Sequence, residues 1–179
     1  MERPIPEPVV VSASAVADVG AVTELHELHG GRLFDFARHQ GLEDTQAADA
    51  VQEAMLRLWR ELQRGTRIDN PLAWAYRTTY RLAMEQHRVR RALARVLPRL
   101  APAHPTYSGP EASDGVAVWT AVDRLPARQR QVLYLHYAGE LPFADVASVI
   151  GISASAARTH ASRALATLRV ELADDEASR

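Results

Sequence analysis

The chain contains no cysteine, no lysine, few aromatic residues (6%) and no long apolar run. Without cysteine there is neither a disulfide framework nor a thiolate zinc site, so a metal would have to be held by histidine and carboxylates. No apolar stretch approaches the ~20 residues of a membrane span, and no membrane insertion is expected. The N-terminus, MERPIPEPVVVSASAVADVG, has acids and prolines where a secretory signal needs a basic start and a longer apolar core. A cytoplasmic protein is the expectation. All 21 strongly basic residues are arginine. With alanine also abundant, this reads as the mark of a G- and C-rich genome and assigns no function. A net charge of −1 over 179 residues argues against a free-standing, tight nucleic-acid binder, whose domain is usually basic overall. Basic patches must be local, or another protein must supply the remaining affinity.

Catalytic signatures are missing too. His26-Glu27-Leu28-His29 resembles a zinc-protease helix only superficially, because that chemistry needs its histidines four apart on one helical face and here they are three apart. There is no phosphate loop and no legible nucleophile–base pair. A non-catalytic protein without a cofactor is expected.

What is present is helical periodicity in two blocks. After a tail over residues 1–20, the first block spans 21–92. Leu25, Leu28, Leu33, Phe34, Phe36 and Ala37 predict one helix that tolerates Gly30-Gly31 and ends near Gly41. Asp44 or Thr45 can cap a second helix running from Gln46 to about Arg64, with Gly65 as its stop. Its buried stripe is Val51, Ala54, Met55, Leu58 and Leu62, while Asp49, Gln52, Glu53, Leu56 and Arg60 lie on the other side. Asn70 caps and Pro71 begins a third helix, a first-turn position that suits proline.

That third helix, PLAWAYRTTYRLAMEQHRVRR from Pro71 to Arg91, carries the strongest local charge. At ~100° per residue, Arg77, Arg81, Met84, Arg88 and Arg91 share one face, and Ala75, Thr78, Leu82 and Val89 lie opposite. Seven arginines fall between Arg77 and Arg99 against the single acid Glu85. Trp74, Tyr76 and Tyr80 are interleaved with them. Arginine with aromatics is the chemistry of phosphate contact plus base stacking. Tyr80 is the better stacking candidate, since Trp74 borders the buried stripe. A solvated charge run is the competing reading.

Residues 93–115, rich in proline, alanine and serine, read as a flexible linker. The second block, 116–173, has helices predicted at Val116–Leu125, Pro126–Tyr137, Pro142–Ile150 and Ser153–Leu172, followed by an acidic tail over 174–179. FADVASVIGISASAARTHASR, Phe143 to Arg163, has the spacing of a helix-turn-helix. Ala147 lets two helices approach, Gly151 occupies a turn that requires positive φ, and Ser153 is a natural N-cap. Ser155, Arg158, Thr159, Ser162 and Arg163 share the exposed face of the last helix, where donors suit phosphates and major-groove base edges. The fold class expected is all-α: two small helical domains joined by a linker.

With those residues in hand, Val22 to Leu172 resembles a bacterial RNA polymerase sigma factor of the extracytoplasmic-function (ECF) group of the sigma-70 family. DAVQEAMLRLWREL (Asp49 to Leu62) is similar to the family's polymerase-binding helix in its region 2. The Pro71–Arg91 helix resembles its promoter-melting and promoter-reading helix. Leu125 to Arg169 is similar to its region 4, the upstream-element reader. The chain departs from the family where Arg81 replaces a common Asn, Glu85 a common Asp, and Ser155-Ala156-Ala157 a Gly-Thr-Val.

The resemblance implies a specificity subunit that directs promoter recognition, DNA melting and transcription initiation. Asp49, Gln52, Glu53, Leu56 and Arg60 would meet the clamp helices of the polymerase β′ subunit. Trp74, Arg77, Tyr80, Arg81, Arg88 and Arg91 would hold the downstream promoter element, and Ser155, Arg158, Thr159, Ser162 and Arg163 the upstream one. An anti-sigma factor is a further candidate partner. The alternatives are a free-standing helix-turn-helix regulator and a sigma-like interaction module that no longer reads DNA.

Overall fold

The computed structural model describes residues 13–96 and 116–177, all helix and turn. Most of the expected linker and the first twelve residues lie outside them. In the first block, α1 spans Ala13–His39, α2 Asp44–Gln63 and α3 Pro71–Val96. In the second, α4 spans Val116–Arg124, α5 Ala127–Leu133, α6 Phe143–Ile150 and α7 Ala154–Ala177. Among the described residues no helix is long and apolar enough to cross a membrane.

The local signals decide most boundaries, with several corrections: α3 runs on to Val96 and α7 to Ala177, into the segments expected as linker and acidic tail. α1 begins at Ala13, inside the segment expected to be a tail. α2 begins at Asp44 with Glu43 as its cap, and Gln46 reaches back to accept from the Glu43 N–H at 3.3 Å. The reciprocal capping box therefore sits a residue or two earlier than the Asp44 or Thr45 cap expected. Asn70 caps α3 as expected, its Oδ1 accepting from the Ala73 N–H at 3.0 Å. A feature not foreseen follows α5: Tyr134–Ala138 winds as a π-helical turn, a rare geometry that widens the helix by one residue per turn.

In the helix-turn-helix, Gly151 is left-handed at φ 72° and closes α6 onto the Ala147 carbonyl at 2.9 Å. A Cβ there would meet nothing within 4 Å, so only backbone strain opposes a side chain. Gly151→Ala is expected to cost about 1 kcal/mol of stability, with Gly151→Asn recovering most of it because asparagine tolerates this conformation; urea unfolding measures both. Ser153 caps α7, its Oγ accepting from the Ala156 N–H at 3.1 Å. Val146, Ala147, Ile150, Ala157 and Ala161 are buried between the two helices, with Ile152 half-buried.

The two blocks do not stand apart. Leu33, Phe36 and Tyr76 of the first share one apolar core with Tyr134, Leu135 and Val146 of the second. Phe36 is fully buried with its ring 5.3 Å from Tyr76, nearly perpendicular, and 5.7 Å from Tyr134. Polar groups close the seam: Tyr134 Oη donates to the Arg32 carbonyl at 2.8 Å, Gln131 Nε2 to Gln40 Oε1 at 2.7 Å, and His39 Nδ1 lies 2.9 Å from Asp123 Oδ1. Gly139 is held by close approach, since a Cβ there would sit 2.7 Å from the Leu135 carbonyl and 3.2 Å from the Tyr76 ring. Burial pushes the Tyr76 phenol above its ordinary pKa range, which keeps it neutral in the seam.

Candidate nucleic-acid and protein interfaces

Three surfaces collect the residues singled out in the sequence. The first is the outer side of α2. The stripe Val51, Ala54, Met55 and Leu58 is buried against α1 and α3, which turns Asp49, Gln52, Leu56 and Arg60 to solvent and leaves Glu53 half-buried. Leu56 is 40% exposed, an apolar residue set among polar ones. Glu53 pairs with Arg57 at 2.7 Å. Asp49 and Glu53, one turn apart, line a shallow groove of ≈ 210 Å³ against Leu82 and Gln86 of α3.

The second surface is divided along α3. Arg81, Arg88 and Arg91 are exposed, forming the outer part of the arginine stripe. Trp74, Arg77 and Tyr80 are half-buried because the second block packs over the first turns of the helix. Trp74 and Arg77 line a cleft of ≈ 390 Å³ with Arg67, Asn70, Asp145 and Ser148. Arg77 Nη1 donates to Ser148 Oγ at 3.3 Å, and the Tyr80 hydroxyl accepts from Arg128 Nη1 at 3.3 Å. Asn70 Nδ2 donates to Asp145 Oδ2 at 2.6 Å.

The third surface is the outer face of α7. Ser155, Arg158, Thr159, Ser162 and Arg163 are all exposed, while Ala157, Ala161, Ala164 and Leu168 are buried. The Arg158 guanidinium lies 6.0 Å from the centre of the Phe143 ring, at the outer limit for a cation–π attraction. Thr159 donates to the Ser155 carbonyl at 3.0 Å, which holds its side chain along the helix.

Sequence reasoning missed the walls that the second block adds to the α3 cleft, Asp145 and Ser148, and the Arg128 contact to Tyr80. Each has a sufficient local explanation. An acid in the first turn of α6 suits the helix dipole, and nothing near it in sequence signals a partner 75 residues away.

Residues 25–103 match the family model for Sigma-70 region 2, and residues 115–168 match that for Sigma-70 region 4. The chain belongs to the sigma-70 family. Its first block is region 2, its second block region 4, and its relatives set it in the ECF group. It is 35% identical over 134 residues to the ECF RNA polymerase sigma factor SigJ of Mycobacterium tuberculosis, covering 66% of this chain and 40% of that one. It is 33% identical over 133 residues to a probable RNA polymerase sigma factor, RfaY of Xanthomonas campestris pv. campestris, covering 69% of this chain and 33% of that protein. The chain thus spans well under half the length of these two relatives. Against the M. tuberculosis ECF sigma factor SigL it is 25% identical over 167 residues, covering 90% of this chain and 94% of the other.

Among solved structures, the sigma factor RpoE in complex with the anti-sigma factor NepR from Bartonella quintana superposes with a TM-score of 0.69 at 22% identity. That match covers 86% of this chain and 96% of the other. CnrH, solved in complex with the cytosolic domain of CnrY, gives 0.56 at 23% identity over 92% and 99%. Both likenesses establish the fold, including all-helical regions 2 and 4.

Proposed function

We propose that this chain is a sigma factor that binds core RNA polymerase and directs promoter recognition, local DNA melting and transcription initiation. The observation that carries this is the ordered pair of regions 2 and 4, each presenting the face its chemistry needs: an arginine stripe on α3 and a capped donor face on α7. The outer side of α2, with its carboxylates, amide and single exposed leucine, is the polymerase-facing surface. A polar ring around one apolar anchor suits a basic coiled coil such as the β′ clamp helices. The near-zero net charge fits this division, because polymerase then supplies most of the nonspecific DNA affinity. An anti-sigma factor is a natural partner, as RpoE was solved with one.

In vitro transcription with core polymerase tests the proposal. Initiation that depends on this chain supports it. Tight duplex binding without polymerase would favour the free-standing regulator, and association with polymerase without initiation the sigma-like module.

On the α7 face, the double change Arg158→Ala, Arg163→Ala is expected to weaken upstream-element binding and to flatten its salt dependence by about one unit of slope per lost phosphate contact. Both side chains are exposed, so the fold should be unaffected. An unaltered slope would place the phosphate contacts elsewhere.

A further inference from the structure

Within region 2, the cleft assigned above to downstream promoter DNA is bordered by Trp74 and Arg77 of α3 and by Thr66 to Asn70, the loop between α2 and α3. The loop brings shape rather than net attraction, since Arg67 pairs with Asp69 at 2.9 Å. Both of its ends are fixed. At the far end Asn70 caps α3. At the near end α2 stops on left-handed Gly65, φ 73°. There the Gly65 N–H donates to the Leu62 carbonyl at 2.8 Å and the Thr66 N–H to the Glu61 carbonyl at 3.0 Å. This pair of bonds is a common glycine stop, in which the two residues joined by the longer-range bond usually also meet through apolar side chains. Here that second contact is polar. Glu61 Oε2 accepts from Thr66 Oγ1 at 2.9 Å, and Oε1 from Arg64 Nη1 at 2.8 Å. One residue of the last turn of α2 thus holds the first loop residue by both its carbonyl and its carboxylate.

We infer that Glu61 is a positioning residue for promoter opening: acting through Thr66, it sets the loop side of the cleft before DNA arrives. The inference rests on the promoter-binding reading given above. Its physical basis is preorganisation. A loop that is already fixed loses little conformational freedom when an unpaired base enters, whereas a loose one must be ordered in the same step, and binding weakens by that cost. The two bonds of the Glu61 carboxylate are not equal. Its ion pair with Arg64 is exposed, the side chains being 31% and 69% accessible, and exposed pairs contribute little. The Thr66 hydroxyl bond to a carboxylate is directional and charge-assisted, and it joins α2 to a residue that lines the cleft. The Thr66 bond therefore carries the effect, and an uncharged acceptor at position 61 should preserve most of it.

The test uses the full chain, free and in complex with core polymerase. In the free chain, the rate of tryptic cleavage at the Arg67–Ile68 bond, mapped by mass, reports the order of the loop. In the complex, permanganate oxidation of unpaired thymines reports melting of a duplex fragment that the parent complex has selected from a random-sequence pool. Glu61→Ala, which keeps a good helix former in α2, is expected to quicken the cleavage and to lower the oxidation, each about fivefold. Co-elution with polymerase and retention of the duplex fragment on ice should not change. Glu61→Gln keeps an acceptor for Thr66 and should return both readouts nearly to the parent values. Unchanged cleavage in Glu61→Ala would overturn the inference. Quicker cleavage with parental melting would overturn the positioning role and leave the promoter reading in place. A loss of melting that Glu61→Gln does not restore, or that polymerase co-elution matches, would make Glu61 a structural residue only and overturns the inference as well. If the parent complex melts no selected fragment, the promoter reading itself fails and takes the inference with it.

Discussion

Phe36→Ala is expected to lower stability by about 3–5 kcal/mol, and to loosen both helical blocks at once. Phe36 is fully buried, and its ring meets Tyr76, Tyr80 and Tyr134 at centroid distances of 5.3, 6.4 and 5.7 Å. Two of these neighbours lie on α3 and the third beyond the linker, so the cavity left by truncation opens at the point where region 2 meets region 4. Small folded chains have only about 5–15 kcal/mol in hand, and the variant should lose a large share of it. Urea unfolding followed by far-ultraviolet dichroism and by tryptophan emission gives the loss, because Trp119 of region 4 packs on the same aromatic seam, 5.5 Å from Tyr134. Both probes should move together if the shared core couples the regions. Phe36→Leu, which keeps most of the volume, should cost less than about 1.5 kcal/mol. A loss below about 1 kcal/mol for the alanine variant would mean that the seam contributes little to holding the chain together.

That seam marks the limit of what the sequence made legible. Each helix announced itself through periodicity and caps: Asn70 before α3, Ser153 before α7, and Gly151 between α6 and α7 are where local chemistry requires them. The stripes Val51–Leu58 and Ala157–Leu168 were readable for the same reason, since a helix repeats every 3.6 residues and its buried face is written at that interval. The side of α3 that meets region 4 was harder to see. Tyr76, Thr79 and Ala83 are buried, yet the side read as opposite the arginines was that of Ala75, Thr78, Leu82 and Val89, which does not include them. A helix buried on two sides has a wide apolar arc, and interleaved charges at its margins blur it. Long-range pairs such as Asn70 with Asp145 and Gln40 with Gln131 leave no local pattern, because each member is an ordinary polar residue on its own helix. The Gly139 requirement was partly hidden likewise: the Leu135 carbonyl that a Cβ would meet at 2.7 Å is local, but the Tyr76 ring at 3.2 Å comes from the other region. The site therefore divides by range. The faces of α2 and α7 depend on one helix each and were legible, whereas the α3 cleft depends on two regions meeting.

The α2 face supports the second large effect. Asp49→Ala together with Glu53→Ala is expected to weaken association with core polymerase by at least about a hundredfold, because paired charged residues at the centre of an interface each cost about 2 kcal/mol or more when truncated. Neither change should disturb the fold. Asp49 is exposed, Glu53 is half-buried with only the Arg57 partner at 2.7 Å, and an exposed i, i+4 pair contributes about 0.3–0.5 kcal/mol. The loss of Glu53 also releases the Arg57 guanidinium beside the same surface, where a basic partner would be repelled, so the two substitutions act in one direction. Asp49→Asn with Glu53→Gln preserves the shape of the groove against Leu82 and Gln86 and removes only charge. If attraction between charges dominates, that pair should lose nearly as much affinity as the alanine pair and should lose it mainly at low salt, where exposed charges are least screened. If shape dominates, it should bind almost as well as the parent chain. Co-elution with core polymerase across a salt series, alongside an unchanged urea midpoint, distinguishes the two. Undiminished association of the alanine pair would move the polymerase contact off α2 altogether.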